Sequence, residues 1–267
     1  MAVNLSQSTR SMTMDQVRSD PIAAKPIITL HGMPGIGKTS FGARAPKPIF
    51  LMSKRETGLE TLIKNEIVPP TPHFPEIETW GQFLDAIETL IESEHDRQTV
   101  VIDTANGFEH LLQEHVCTRD FRGNWGKEGF AGYARGYDRC ATDWQEMLDR
   151  LEVLRRKREV TIIMLCHTRI ESFSNPEGED YKRFEANVHK KVWAPTHAWS
   201  EMVLFFNYLT AVDDSGKGKS AGHRILYTQH HAAWDAKNRH NLPAEIAVGP
   251  NAWQSLIDAW TAAKGGK

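Results

Sequence analysis

The sequence predicts an α/β fold with a mainly parallel central sheet flanked by helices and an antiparallel C-terminal extension. Three observations carry this. Short apolar runs at 27–30, 49–52, 99–102 and 160–166 alternate with helical stretches, the pattern of strands buried on both faces. The first run leads into a Gly-rich turn that opens a helix. After Cys166, strand-like runs follow one another with hairpin spacing.

In chain order, residues 1–22 are polar and aperiodic and are expected to form a flexible tail before one domain over 23–267. The strand at 27–30 feeds a helix at 37–43. A strand at 49–52 precedes a helix at 58–64, then a Pro-rich stretch, 68–75, that reads as an exposed loop. Helices at 80–93 and 106–117 bracket the strand at 99–102. A long amphipathic helix at 137–158 presents Trp144, Met147, Leu148, Leu151 and Leu154 on one face. Its basic end (Arg150, Arg155, Arg156, Lys157, Arg158) suits a solvated helix C-terminus. Strands at 203–206, 208–212, 224–228 and 246–248 follow, with a turn at 213–218, and a helix at 253–263 closes the chain. No internal repeat is present.

The 267 residues are 40% hydrophobic and 25% charged, ordinary for a soluble globular protein, and the net charge of −2 excludes a bulk attraction to nucleic acid. Any such binding needs a local basic patch. Three cysteines without close spacing (Cys117, Cys140, Cys166) argue against a disulfide framework or a zinc site and suit reduced thiols in the cytoplasm. No apolar run is long enough to span a membrane, and the N-terminus lacks an apolar signal core. His230, His231 and His240 lack ligand spacing and read as surface histidines. Trp193, Trp199, Trp234, Trp253 and Trp260 read as core or interface anchors.

The turn Gly32-Met33-Pro34-Gly35-Ile36-Gly37-Lys38-Thr39 matches G-x-x-x-x-G-K-[ST] at every fixed position, directly after a strand. Gly32, Pro34, Gly35, Gly37, Lys38, Thr39 and Ser40 are therefore the expected ATP-binding residues. Backbone N–H groups face the phosphates, Lys38 reaches the β- and γ-phosphates, and the Thr39 hydroxyl holds Mg²⁺. Asp103, at the end of Thr99-Val100-Val101-Ile102, is the expected second Mg²⁺ element; the alternative is a helix N-cap. Glu56, after the second strand, is placed to polarise the attacking water, or to cap the next helix. His167, after the fourth strand, is a candidate γ-phosphate sensor, or a strand-end histidine bonded to backbone. In Asp235-Ala236-Lys237-Asn238-Arg239, the two cations at i and i+2 project to the same side and suit a finger reaching a neighbouring subunit's nucleotide; the alternative is an ordinary charged loop.

Two stretches combine cations with aromatic rings, the composition that tracks phosphates and stacks bases of single-stranded DNA. Residues 119–137 carry Arg122, Trp125, Lys127 and Arg135 among frequent glycines. Residues 168–192, expected as a long loop, carry Arg169, Lys182, Arg183, Lys190 and Lys191. The alternative is buried rings and solvated charges.

Taken together, the Gly32–Thr39 turn, Asp103, Glu56-Thr57-Gly58-Leu59-Glu60, His167 and Ala236-Lys237-Asn238-Arg239 resemble the RecA-like ATPases. The similarity is greatest to phage nucleotide-binding proteins of the AAA ATPase type, and covers about 25–249. Two departures are visible: Ser53-Lys54-Arg55 separates Glu56 from its strand, and His240-Asn241 stand where a glycine usually follows the finger arginine. The resemblance implies a RecA-like P-loop NTPase fold, catalytic roles for Lys38, Glu56, Asp103, His167, Lys237 and Arg239, and ATP between subunits of a homo-oligomer, ring or filament. It also implies single-stranded DNA as partner in phage-type recombination or replication, by annealing or strand exchange, in the cytoplasm of a bacterial host, with a single-strand binding protein as a further partner. The alternatives are a hexameric helicase or DNA-packaging motor, a small-molecule kinase on the same P-loop, and a non-hydrolysing scaffold.

Overall fold

The computed structural model describes residues 12, 14–19, 24–212 and 218–265. Most of the expected tail, 1–22, and all but the last residue of the expected turn at 213–218 lie outside the described residues.

The chain runs β1 (Ile27–Gly32), α1 (Lys38–Ala43), β2 (Pro48–Met52), α2 (Gly58–Lys64), α3 (Trp80–Glu92), β3 (Thr99–Asp103), α4 (Ala105–Phe121), α5 (Arg135–Arg158), β4 (Thr161–Phe173), β5 (Tyr181–Ala186), α6 (Lys190–Trp199), β6 (Met202–Val212), β7 (Gly218–Tyr227), β8 (Lys237–Asn238), β9 (Glu245–Val248) and α7 (Ala252–Gly265). The nine strands form one sheet in the order β2-β3-β4-β1-β6-β7-β9, with β5 paired to β4 and β8 to β6. The five strands from β2 to β6 are parallel, and β5, β7, β8 and β9 join antiparallel. This is the expected α/β architecture, a mainly parallel central sheet with an antiparallel C-terminal portion, and a strand, β4, lies between the P-loop strand β1 and the Asp103 strand β3.

Because strand side chains alternate, each strand feeds two cores. Val100, Ile102, Ile162 and Met164 pack under α3, α4 and α5, around Phe83, Phe108, Trp144 and Leu151. Ile28, Leu30, Val101, Ile163 and Leu204 pack against α1 and α7, where Phe41 meets Trp253 edge to face at 5.3 Å. α3 begins at a capping box in which Thr79 accepts from the Gln82 N–H, satisfying orphan donors of the first turn.

Several expectations are corrected. The fourth strand does not stop at Cys166: β4 continues to Phe173 and turns back through β5, so 168–192 is a β-hairpin and the start of α6 rather than a loop. The runs 203–206 and 208–212 are one strand, β6, with a register shift between Tyr208 and Thr210. The Pro-rich stretch is not a free loop. Phe50 N–H donates to Pro72 O, Phe74 N–H to Phe50 O and Ile77 N–H to Met52 O, so residues 72–77 line the outer edge of β2. The basic end of α5 is not simply solvated. Arg155 is 7% exposed, bonds Lys25 O at 2.7 Å and pairs with Glu152 and Glu201, while Arg158 donates to the carbonyls of Ile91 and Glu92.

One geometric consequence positions the 119–137 region. α5 ends at Lys25, by the start of β1, yet its 24 residues span about 36 Å against about 20 Å for a six-residue strand. Its first turns therefore pass the C-terminal edge of the sheet, where α4 departs after Asp103 and meets them through Arg119–Asp143 at 2.7 Å. Residues 122–134 form the tip of this helical hairpin, on the same side of the sheet as the P-loop. α4 extends to Phe121 and α5 starts at Arg135, so the ends of the expected 119–137 loop are helical.

Candidate nucleotide site

β1 is buried at all six positions and delivers the chain into the Gly-rich turn. Gly35 and Gly37 have φ of +77° and +111°, conformations that disfavour a side chain. A Cβ on Gly32 would lie 2.5 Å from Phe206 O, so the turn packs directly onto β6.

The expected residues converge on one cleft of about 370 Å³, lined by Pro34, Gly35, Gly37, Lys38, Thr39 and Ser40 from the turn and α1, with Glu56, Asp103, Thr104 and His167 opposite. Gly32 pairs in register with His167, and β4 places that histidine between the turn and Asp103. Lys38 Nζ donates to Gly32 O at 2.9 Å and Met33 O at 3.1 Å, and lies 3.5 Å from His167 Nδ1. An ammonium can only donate, so Nδ1 is the acceptor and the ring turns its Nε2–H toward Glu56 Oε1, 3.8 Å away. Thr104 Oγ1 donates to the same Glu56 oxygen at 3.1 Å, and Asn106 Oδ1 accepts from the His167 N–H at 3.0 Å.

The two carboxylates sit in opposed environments. His167 and Thr104, against partial burial, hold Glu56 below its ordinary range, so it is ionised at neutral pH. Burial, reinforced by Glu56, pushes Asp103 up to about 6. Burial also lowers Lys38, against the pull of Asp103. Thr39 Oγ1 donates to Asp103 Oδ2 at 2.9 Å. A hydroxyl and a buried carboxylate with no described lysine or arginine bonded to it make a hard-oxygen pair that fits Mg²⁺, an ion that takes few protein ligands and keeps waters and phosphate oxygens.

Lys237 and Arg239 are not brought to this cleft. β8 pairs with Met202 and Val203, and Met202 faces Ile28, whereas Gly32 faces Phe206, so they sit about 13 Å further down β6, at the opposite edge. Lys237 Nζ donates to His197 O, and Arg239 Nη2 to Ala198 O at 3.1 Å.

The two aromatic–basic regions differ. At the tip, Trp125 is 46% and Tyr133 98% exposed, and Tyr133 and Ala134 both hold positive φ. Arg122 caps α4, Lys127 is exposed, and Arg135 is tied to the carbonyls of Gly132 and Glu128. On the β4–β5 hairpin, Arg169 lies 3.1 Å from Glu171, Arg183 pairs with Glu185 and covers Phe173, and Lys191 of α6 pairs with Asp138. Lys182 and Lys190 sit on β5 and at the start of α6.

Arg224 escaped the sequence reading. From β7 its guanidinium donates to Ile36 O at 3.2 Å and Gly249 O at 3.3 Å, and fills the space a Cβ on Gly37 would need, at 2.9 Å. It braces the phosphate turn from the sheet side. Nothing local marks it, because the contact spans 188 positions. Thr104 and Asn106 carried a weak signal, since they lie one and three residues after Asp103.

The sequence pattern of the AAA domain (AAA_24) matches residues 24–240. The SPbeta prophage-derived uncharacterized protein YorG of Bacillus subtilis (strain 168) is 23% identical over 211 residues, covering 78% of this chain and 58% of that protein, so the match spans less than two thirds of the relative's length. A solved structure, the crystal structure of the RadB recombinase, overlays with a TM-score of 0.49 at 12% identity, covering 86% of this chain and 90% of that one. With a complete phosphate-binding turn, the carboxylate at the end of β3 and a family match across most of its length, this chain belongs to the AAA-domain family of P-loop ATPases.

Proposed function

We propose that the protein is an ATPase that hydrolyses ATP between subunits of a homo-oligomer and acts on single-stranded DNA in phage-type recombination or replication. The observation that carries this is the convergence of Lys38, Glu56, Asp103 and His167 on the phosphate turn. Lys38, released from the carbonyls of Gly32 and Met33, would meet the β- and γ-phosphates. Ionised Glu56, oriented by Thr104, would take a proton from the attacking water. His167, between Lys38 and Glu56, would register the γ-phosphate. Mg²⁺ held at Thr39 and Asp103 would supply charge neutralisation on the phosphate oxygens.

Lys237 and Arg239 lie too far from this cleft to serve it, and a cation acting on a neighbour's nucleotide needs that separation. Trp125 and Tyr133 at the tip suit base stacking, with Arg122 and Lys127 for phosphates. The prophage-derived relative supports the phage setting.

Steady-state ATP hydrolysis with no DNA, single-stranded DNA or duplex, across protein concentration, tests the reading. Stimulation by single strands with a rate steeper than linear in protein is expected. A rate strictly proportional to protein and indifferent to DNA would overturn it and favour a small phosphate acceptor.

A further inference from the structure

His31, one residue before the phosphate turn, is fully buried at the centre of the sheet and takes no part in the chemistry above. Its environment is otherwise that of a packing residue: the ring stacks on Phe205 at 5.0 Å and meets Trp193 edge to face at 6.3 Å. An imidazole there costs desolvation that an apolar side chain would not, so its hydrogen bonds matter. Both ring nitrogens are used. Asp235 O, 2.7 Å from Nε2, can only accept, so Nε2 carries the proton. Burial holds the ring neutral, with its pKa pushed down to about 4, which leaves Nδ1 to accept the Thr168 hydroxyl proton at 3.0 Å.

Those partners belong to different machinery. Thr168 is covalently next to His167, at the cleft. Asp235 leads into Lys237 and Arg239. The Asp235 carboxylate accepts from Trp193 Nε1 at 3.0 Å and lies 3.4 Å from His197; against burial, which pushes it up, these hold it down to about 2. Lys237 and Arg239 then bond the carbonyls of His197 and Ala198. One packed chain therefore runs from the cleft through Thr168, His31 and Asp235 to the distant cations.

We propose that His31 and Thr168 are positioning residues that couple occupancy of this chain's phosphate cleft to the placement of Lys237 and Arg239. The proposal rests on the reading that the cleft binds nucleotide. A shift of the His167–Thr168 backbone alters the Thr168–His31 bond. The ring, confined between Phe205 and Trp193, passes the change to the Asp235 carbonyl because interiors are close-packed rather than compliant. The chain's own nucleotide would thereby set the pose of the cations it offers elsewhere.

The test is hydrogen exchange of the full-length protein with and without a non-hydrolysable ATP analogue and excess Mg²⁺. In wild type, exchange should slow at the phosphate turn and, by about fivefold or more, across 235–241. Thr168→Val should retain the first effect, with analogue affinity within about twofold of wild type, and lose the second; Thr168→Ser should restore it. Thr168→Ala removes the same hydroxyl should the valine variant fail to fold. A merely structural role would change exchange equally with and without analogue. Wild-type protection at the turn but not at 235–241, or full coupling in both Thr168→Val and Thr168→Ala, would overturn the coupling alone. Absence of protection at the turn itself would overturn both the coupling and the nucleotide reading.

Discussion

At the C-terminal edge of the parallel strands, Lys38, Asp103, Glu56 and His167 crowd around one turn, linked to one another directly or through Thr39 and Thr104. At the N-terminal edge, Lys237 and Arg239 extend from a two-residue strand and donate to main-chain carbonyls of α6. The first cluster is balanced within itself: carboxylates offset the cation, and opposed environments set their protonation apart. The second is a pair of cations that disfavour each other, burial and then Arg239 lowering the Lys237 pKa. A self-contained cluster can do chemistry on what it binds; the distal pair, offset only in part by Asp235, is the one we propose completes a site outside its own subunit.

The sharpest way to break this contrast is Arg239→Ala. We expect turnover to fall about a thousandfold with nucleotide binding intact, and mixing this variant with inactive Lys38→Ala to recover activity. Failure of the mixture to recover would make the distal cations structural. Glu56→Gln keeps an oxygen for Thr104 but removes the base, and single-turnover rates should fall about a hundredfold or more. The pH dependence follows from Asp103. Its pKa of about 6 lies above the ordinary value of 3.8, so its proton competes with Mg²⁺ at acid pH. Mg²⁺-dependent nucleotide affinity should fall as pH drops through 6, by up to about tenfold per unit, in isothermal titration. The sign for folding is reversed: without metal, Asp103 favours the native state while protonated, so its contribution is lost as pH rises from about 4 through 6, and Asp103→Asn should flatten that slope in thermal melts.

Smaller effects test the proposed nucleic-acid surface. Trp125→Ala should weaken binding of a single-stranded oligonucleotide about tenfold by anisotropy, and Tyr133→Ala similarly, whereas substitutions among the ion-paired hairpin cations should matter less. Equal losses from Arg183→Ala would move the interface to the hairpin. Arg224→Ala, which loosens the turn without touching the cluster, should raise KM several-fold with kcat nearly retained.

The cluster was legible because its parts are anchored to strand ends and sit a few residues from apolar runs. The segments that were misread lack that local signature. β5, Tyr181–Ala186, is largely charged and acquires its structure from pairing with β4. α6 carries Pro195 within the helix and shows its buried side only at Val192 and Thr196. Arg155 belongs to a run of four basic residues with separate fates: Arg155 is buried against Glu201 and Lys25 and Arg158 is tied to the Ile91 and Glu92 carbonyls, all far away in sequence, while Arg156 and Lys157 are exposed. The Arg224 brace and the His31 bonds are likewise tertiary: no window of sequence holds both partners.

The segment 72–77 has a bearing on how copies of this chain can meet. A parallel sheet ends in a strand with unsatisfied hydrogen-bonding groups, a template on which another chain can extend. Here β2 occupies that position, and a proline-punctuated ribbon already takes its bonds. Pro72 and Pro75 have no N–H to offer a further strand. Growth by sheet-to-sheet addition at this border is thereby closed, and under the proposed function subunits sharing a nucleotide would associate through side-chain surfaces, which can be made and broken as the nucleotide changes.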